Sequence, residues 1–327
     1  MTRSLRPAFA STLTSLLLTA VPAAAQGKIR IAFGDIPSVE TLHFLIGIER
    51  AKERGVQVEM TSLKSEDIAA QAVVGGQADV GVGTPYALVQ KVKAPVRMFY
   101  SFANLRFFPV VNTEFYKTWK DLDGQEIAVH SRGSGTEAIM KLAAERNGIK
   151  FSRISYVPGS EVRAGALLQG NIKATILDST NRKIVMEKAP GKFAVLPLQG
   201  VRATDEALFA NVDFLKKNQK AVDVLVASLL ETAREINRKP EVVVELRKKY
   251  KLLPDLPKQL EADILPYFSE SVAAGAIPVD GGYGAAKDDL AFFQLAGQLQ
   301  GDAASLKPED FWEMGPLTRV NARVGKK

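Results

Sequence analysis

The sequence has no cysteine among its 327 residues. Disulfides, a thiolate nucleophile and a cysteine metal site are excluded, and so is a lipid-modified cysteine as a tether. Histidine is nearly as scarce, with only His43 and His130. Neither belongs to a His-x-His cluster, and the lone Glu40-x-x-His43 spacing has no second such pair to complete a site, so no metal and no cofactor are expected. His43 lies on a helix and reads as packing, whereas His130 ends a strand and is a candidate for one hydrogen bond to a ligand. A serine hydrolase is excluded as well: "HSRGSG" (130–135) departs from the G-x-S-x-G elbow, and no serine has an aligned base. Lys and Arg are never interleaved with aromatics in a run, which argues against nucleic acid as a partner. After the first 25 residues no stretch approaches about 18 uninterrupted apolar residues, so no membrane span is expected.

What is present begins at the N-terminus. Arg3 and Arg6 form a positive n-region, "FASTLTSLLLTAV" (9–21) a short apolar core, and "AAA" (23–25) a small-residue site before Gln26. That pattern reads as a secretory signal over residues 1–25, cleaved between Ala25 and Gln26. An exported, untethered protein is retained by the cell only behind an outer membrane, so the Gram-negative periplasm is the expected compartment. The formal net charge is +7, and loss of the two leader arginines leaves +5. Such a balance helps attract an anionic partner, but it is also common among exported proteins that have none. Apolar residues at 46% and charged residues at 24% are ordinary for a globular chain, which excludes disorder.

From residue 28 strands and helices alternate. "KIRIAFG" (28–34), "VQVEMTSL" (56–63), "ADVGVG" (78–83) and "APVRMFYSF" (94–102) read as strands. Between them lie helices at 38–55, with Ser38 as N-cap and Gly55 as stop, at 65–76, and at 84–91 with Pro85 in its first turn. The pattern then restarts with "WKDLDGQEIAVH" (119–130), a glycine turn and a helix stopped by Gly148. "RISYVPG" (153–159), "IKATILD" (172–178) and "KFAVLPL" (192–198) supply further strands with helices between them. "AQAVVGGQADVGVGTP" (70–85) and "AGALLQGNIKATILDST" (164–180) suggest a duplicated plan. After residue 205 comes "EALFANVDFLKKN", and then a nearly all-helical third. Within it, 220–239 carries an apolar face through Val222, Val226, Leu229, Ala233 and Ile236. A tail of this kind wraps back onto the first unit, so the chain crosses twice, near 103–118 and 203–210, and two crossings make a hinge. The expected division is a lobe of 26–110 plus 206–327 and a lobe of 111–205. Each is an α/β unit with a mainly parallel sheet flanked by helices.

"IAVHSRGSGTEAIMKLAAERNG" (127–148) is a strand, a glycine turn and a helix. "GSGTEA" (133–138) matches the relaxed dinucleotide fingerprint, but Ser131 and Arg132 separate it from the strand end, so a dinucleotide enzyme is disfavoured. No Gly-Lys-Ser/Thr follows, which rules out a P-loop. Gly133 and Gly135 permit the positive φ that turns successive N–H groups inward. Ser134 and Thr136 add hydroxyls, the helix N-terminus a partial positive charge, and Arg132 a full one. Two readings stay open: a seat for a small anion, or a turn capping its own helix, for which Glu137 in the first turn argues.

Several of these segments are similar to a known family. "RIAFGDIPSVETL", "QAVVGGQADVGVGTPYALVQ", "DLDGQEIAVHSRGSGTEAIM", "YVPGSEVRAGALLQGNIKATILD" and "LFANVDFLKKN" follow the order found in periplasmic solute-binding proteins of ABC importers. The likeness is to the sulfonate, nitrate and thiamine-precursor (SsuA/THI5-like) branch and covers most of the mature chain. "GSGTEA" also resembles the corresponding segment of TAXI-type proteins serving TRAP transporters, a second assignment of the same task. The resemblance implies a two-lobe periplasmic binding protein fold with a two-strand hinge. It also implies a small organic or oxo-anion as solute, an ABC permease as partner, a monomer, and no catalysis. A eukaryotic enzyme of this branch depends on cysteines that are missing here. The same fold could serve as a periplasmic sensing module. In such proteins ligands sit at the carboxyl ends of the strands. The residues there are Asp35, Pro37, Ser38, Lys64, Thr84, Tyr86 and Asn104 of the first lobe. From the second come Ser131, Arg132, Gly133, Ser134, Gly135, Thr136, Glu161, Arg163, Asp178 and Thr180. Ser160, Arg106 and the aromatics Phe102, Phe107 and Phe108 lie close by in the sequence.

Overall fold

The structure is a computed structural model that describes residues 27–198, 200–302 and 305–325. The expected leader and its cleavage site fall outside them. In chain order the first elements are β1 (Lys28–Phe33), α1 (Leu42–Glu53), β2 (Gln57–Ser62), α2 (Glu66–Val74), β3 (Val80–Gly83), α3 (Tyr86–Val92) and β4 (Val96–Asn104). There follow β5 (Phe108–Asn112), β6 (Glu126–Val129), α4 (Gly135–Asn147), β7 (Arg153–Tyr156), α5 (Ser160–Leu168), β8 (Ala174–Leu177), α6 (Ser179–Lys188) and β9 (Phe193–Val195). The chain ends with β10 (Thr204–Asn211), α7 (Val212–Lys217), α8 (Gln219–Arg238), α9 (Val242–Tyr250), α10 (Lys258–Ala273), α11 (Ala286–Leu295) and α12 (Gly315–Val324).

Among the described residues these strands form two five-stranded sheets, ordered β2-β1-β3-β10-β4 and β7-β6-β8-β5-β9. The plans are equivalent. β1 pairs in parallel with β2 and β3 as β6 does with β7 and β8. In each sheet one strand runs the other way: β10 between β3 and β4, and β5 between β8 and β9. Those two antiparallel strands are the first elements after each crossing. The chain leaves the first sheet at 105–107 and returns at 196–203. β5 therefore belongs wholly to the second sheet, and the first crossing falls a few residues before the sequence-based boundary at 110.

The alternation of side chains along a strand sorts the core. Ile29, Ile31 and Phe33 face a layer with Phe44 and Ile48 of α1 and Val222, Val226 and Leu229 of α8, while Ala32 packs on the opposite, α2 side. α8 buries the five apolar positions that its period marks. The α1–α8 approach depends on Gly47, where a Cβ would stand 2.5 Å from Leu229 Cδ2 and 3.1 Å from its Cα. α1 starts later than the expected Ser38 cap. Thr41 Oγ1 accepts from the Ser38 N–H at 3.0 Å, and that turn delays the helix to Leu42. The C-terminal helices pack on the first lobe, with Trp312 bridged to Met98 of β4. They also reach the second lobe: Gln298 donates to the Ser134 carbonyl at 3.3 Å, and Lys183 of α6 pairs with Asp263 of α10 at 3.0 Å.

Candidate functional site

The carboxyl ends of the parallel strands of both sheets face one another. Because β10 runs antiparallel to β3, its first residues, Thr204 to Glu206, arrive at the same edge where β1 and β3 end. The lobes meet directly across this cleft. His130 Nε2 donates to the Gly34 carbonyl at 3.1 Å, and the Glu66 N–H lies 3.4 Å from Ser131 Oγ. Between these contacts the two edges enclose a cavity of about 30 Å³. The first lobe lines it with Asp35, Glu40, Thr41, Glu66, Phe102, Ala103, Asp205 and Glu206. The second lobe contributes His130, Ser134, Thr136, Ser160 and Arg163, and Phe107 enters from the crossing segment.

The electrostatics of this cavity are acidic. Asp205 and Glu206 are each only 8% exposed, and burial, reinforced by the charge of Glu66, holds both carboxyl groups well above the ordinary range. Glu66, also 8% exposed, accepts from the Thr84 N–H at 2.8 Å; burial outweighs that bond and raises its pKa to about 8. Glu206 Oε2 is fully enclosed and has no hydrogen-bond partner. Against these acids stands the Arg163 guanidinium, 1% exposed, which donates to the carbonyls of Ile176 and Val157, both at 3.0 Å. His130 adds no charge. Its Nδ1 accepts from the Gly159 N–H at 3.2 Å while Nε2 donates to Gly34, so the ring is a neutral bridge, and burial lowers its pKa.

The glycine turn is self-contained. The Gly133 N–H, at φ +80, donates to Glu137 Oε2 at 2.6 Å. Ser134 Oγ caps α4 by accepting from the Glu137 N–H at 3.3 Å, and its own hydroxyl donates to the Ser131 carbonyl at 2.8 Å. Thr136 Oγ1 accepts from the His130 N–H at 3.0 Å. Gly135 opens α4 against Leu105 of the crossing, whose Cδ2 a Cβ would meet at 2.4 Å. Arg132 turns outward over the Tyr156 ring, with its guanidinium carbon 5.4 Å from the centroid. Much of the hydrogen bonding at 131–136 goes to the turn itself and to the start of α4, as in a capping turn, while Ser134 and Thr136 also line the cavity.

The remaining expected residues divide. Asp35 and Arg163 lie in the cavity wall. Thr84 stands behind it, holding Glu66. Asp178 caps α6 by accepting from the Asn181 N–H at 2.8 Å, and Thr180 is buried one residue into that helix. Asn104 is spent on the crossing, where its side chain donates to the Gly275 carbonyl at 2.9 Å. Pro37, Ser38, Lys64 and Glu161 lie outside the cavity wall, and the last two are exposed. Tyr86 is a correction: it is 0% exposed, and its hydroxyl donates to Asp289 Oδ2 at 2.6 Å and accepts from Trp312 Nε1 at 2.7 Å. Asp289 in turn accepts from the Thr204 N–H at 2.7 Å, so this network fixes the start of β10 at the cleft.

Two lobes facing each other with a polar cavity at their carboxyl edges define the class of two-lobe periplasmic binding protein folds. A family model described as NMT1/THI5 like matches residues 52–242. That is more than half of the sequence, and the chain belongs to the NMT1/THI5-like family. Its fold is similar to that of a protein from Bordetella bronchiseptica RB50, at TM-score 0.74 and 21% identity over 91% of this chain and 98% of that one. It is similar to the periplasmic nitrate-binding protein NrtA from Synechocystis PCC 6803, at TM-score 0.69 and 12% identity over 93% of this chain and 90% of that one. It is also similar to a putative sulfonate ABC transporter, periplasmic sulfonate-binding protein SsuA, from Methylobacillus flagellatus KT, at TM-score 0.59 and 16% identity, covering 92% and 96% of the two chains. None of the curated proteins compared with the chain matches it. Among the described residues no helix is long and apolar enough to cross a membrane.

Proposed function

We propose that this chain is an extracytoplasmic solute-binding protein that captures a small solute between its lobes and delivers it to the permease of an ABC importer. The observation that carries this reading is the cavity at the facing carboxyl edges of two equivalent sheets, the place where open α/β sheets receive ligands. A solute touching both walls favours the closed arrangement by the contacts it adds there, and closure changes the outer surface offered to a permease. Carriage without chemistry agrees with His130, whose two ring nitrogens are both engaged by backbone groups, leaving no free base beside a nucleophile. The leader read at 1–25 supports export of the mature protein to the periplasm.

The test is native mass spectrometry of the protein expressed with its own leader in a Gram-negative host. A mature N-terminus at Gln26 and a mass excess of one small molecule are expected. Unfolding and refolding removes the molecule, and the low-molecular-weight extract of the host then restores thermal stability, by about 2.7 kcal/mol at a hundredfold excess over the dissociation constant. No mass excess together with no stabilisation by the extract would overturn the reading.

A further inference from the structure

The cavity carries more information than its position. Five carboxyl groups, those of Asp35, Glu40, Glu66, Asp205 and Glu206, line a space of about 30 Å³. The single guanidinium in the wall, that of Arg163, is committed to two backbone carbonyls. One cation cannot neutralise five acids, so without a further positive charge the buried carboxyl groups retain protons that a second cation would displace. A second observation points into the same space: Glu206 Oε2, on a side chain 8% exposed, has no hydrogen-bond donor. A buried carboxylate oxygen without a donor is costly and is ordinarily satisfied by a partner. Phe102 and Phe107 add apolar surface to the wall, which suits the apolar stem of a cation. Among the described residues no group of three or more His, Cys, Asp or Glu is arranged to hold a metal ion, so the donor is not read as a metal.

We propose that the solute is a small organic cation, an ammonium or guanidinium compound, whose N–H groups are received by Glu206 and the neighbouring carboxylates. The inference rests on the solute-binding reading and assigns its substrate class. Its consequence is a charge-controlled closure. Closure over the acids of the first lobe suppresses their ionisation, and a cation between the lobes restores it by taking the place of the protons. The rival is a set of protonated carboxyl groups donating to an anion, and the experiment separates the two.

The test is a thermal-shift and calorimetric titration of the refolded protein with methylammonium, ethanolamine, putrescine and guanidinium chlorides, beside sodium ethanesulfonate and potassium nitrate. Stabilisation by at least one cation and by neither anion is expected. Glu206→Gln and Glu40→Gln are expected to weaken that binding about tenfold or more, the loss of a charge-assisted hydrogen bond. The same variants are expected to melt no lower than the parent without solute, because an acid whose ionisation is suppressed by burial has been replaced by a neutral amide. Asp255→Asn, at an exposed position far from the cavity wall in sequence, is the control and leaves binding unchanged. Binding of the anions alone overturns the cation assignment and leaves the solute-binding reading standing. Binding of no cation overturns it also, and the extract experiment then decides separately whether any solute is carried. Cation binding unaffected in both Gln variants overturns the role given to these carboxylates.

Discussion

One hydroxyl joins three parts of the first lobe. Tyr86 carries α3, its bond to Asp289 holds α11, and its bond from Trp312 holds the segment before α12. Tyr86→Phe keeps the ring but leaves the indole N–H and a buried carboxylate oxygen without a partner, at a cost of about 1–3 kcal/mol. Urea denaturation of the variant should show that loss, and an unchanged midpoint would contradict the network. Glu66 gives a pH signature. Its folded-state pKa of about 8 lies above the ordinary value of about 4.3, so across that window the folded state keeps a proton that the unfolded state has released. Stability attributable to Glu66 is therefore present at low pH and lost as pH rises toward 8. The groups facing it are Asp35 and Asp67 of its own lobe, Asp205 and Glu206 of β10, Thr84, and Ser131 across the cleft. Glu66→Gln removes this slope, so the variant should gain on the parent between pH 5 and pH 8, by at most about 1.4 kcal/mol per pH unit. Parallel pH profiles for the two proteins would contradict the shift.

Among the elements, α8 and the central strands were legible because their periods are long or their runs rich in β-branched residues. α8 repeats its apolar positions over 20 residues and meets α1 where a glycine removes the intervening side chain. Gly47→Ala forces a methyl group into Leu229 and should cost about 1–3 kcal/mol. Leu229→Ala alone should cost about 2–5 kcal/mol. The double variant should cost less than the sum, since each change relieves the other, and a denaturation cycle reads the coupling. Strict additivity would contradict the close approach. β10 was not legible. It is buried along nearly its whole length, so no alternation marks it, and it opens with three polar residues in a row, Thr204, Asp205 and Glu206. Two acids standing directly before the apolar stretch Ala207 to Ala210 were the available signal for the site. Glu66 was hidden for the opposite reason: an acid in the first turn of a helix is ordinary, and only the fold puts it inside.

For the whole molecule, composition and local chemistry point in opposite directions. A net charge of +7 suggests anions, yet the cleft collects acids, because net charge sums the surface and says nothing of one cavity. The two-lobe plan was legible from alternation and from the repeated segments, whereas the pairing of the two carboxyl edges, and with it the site, depends on crossings that no short motif records. The absence of cysteine offers a direct test of the central claim that the lobes close on a solute. Val92→Cys on α3 of the first lobe and Val162→Cys on α5 of the second, both exposed, give two unique labelling sites in the chain. The measurement is the spin-label distance distribution between them by pulsed electron resonance, on refolded protein before and after adding the low-molecular-weight host extract. The account predicts a broad or two-component distribution without solute that collapses to one narrow, shorter distance with it. A distribution unchanged by a solute that demonstrably binds would contradict closure.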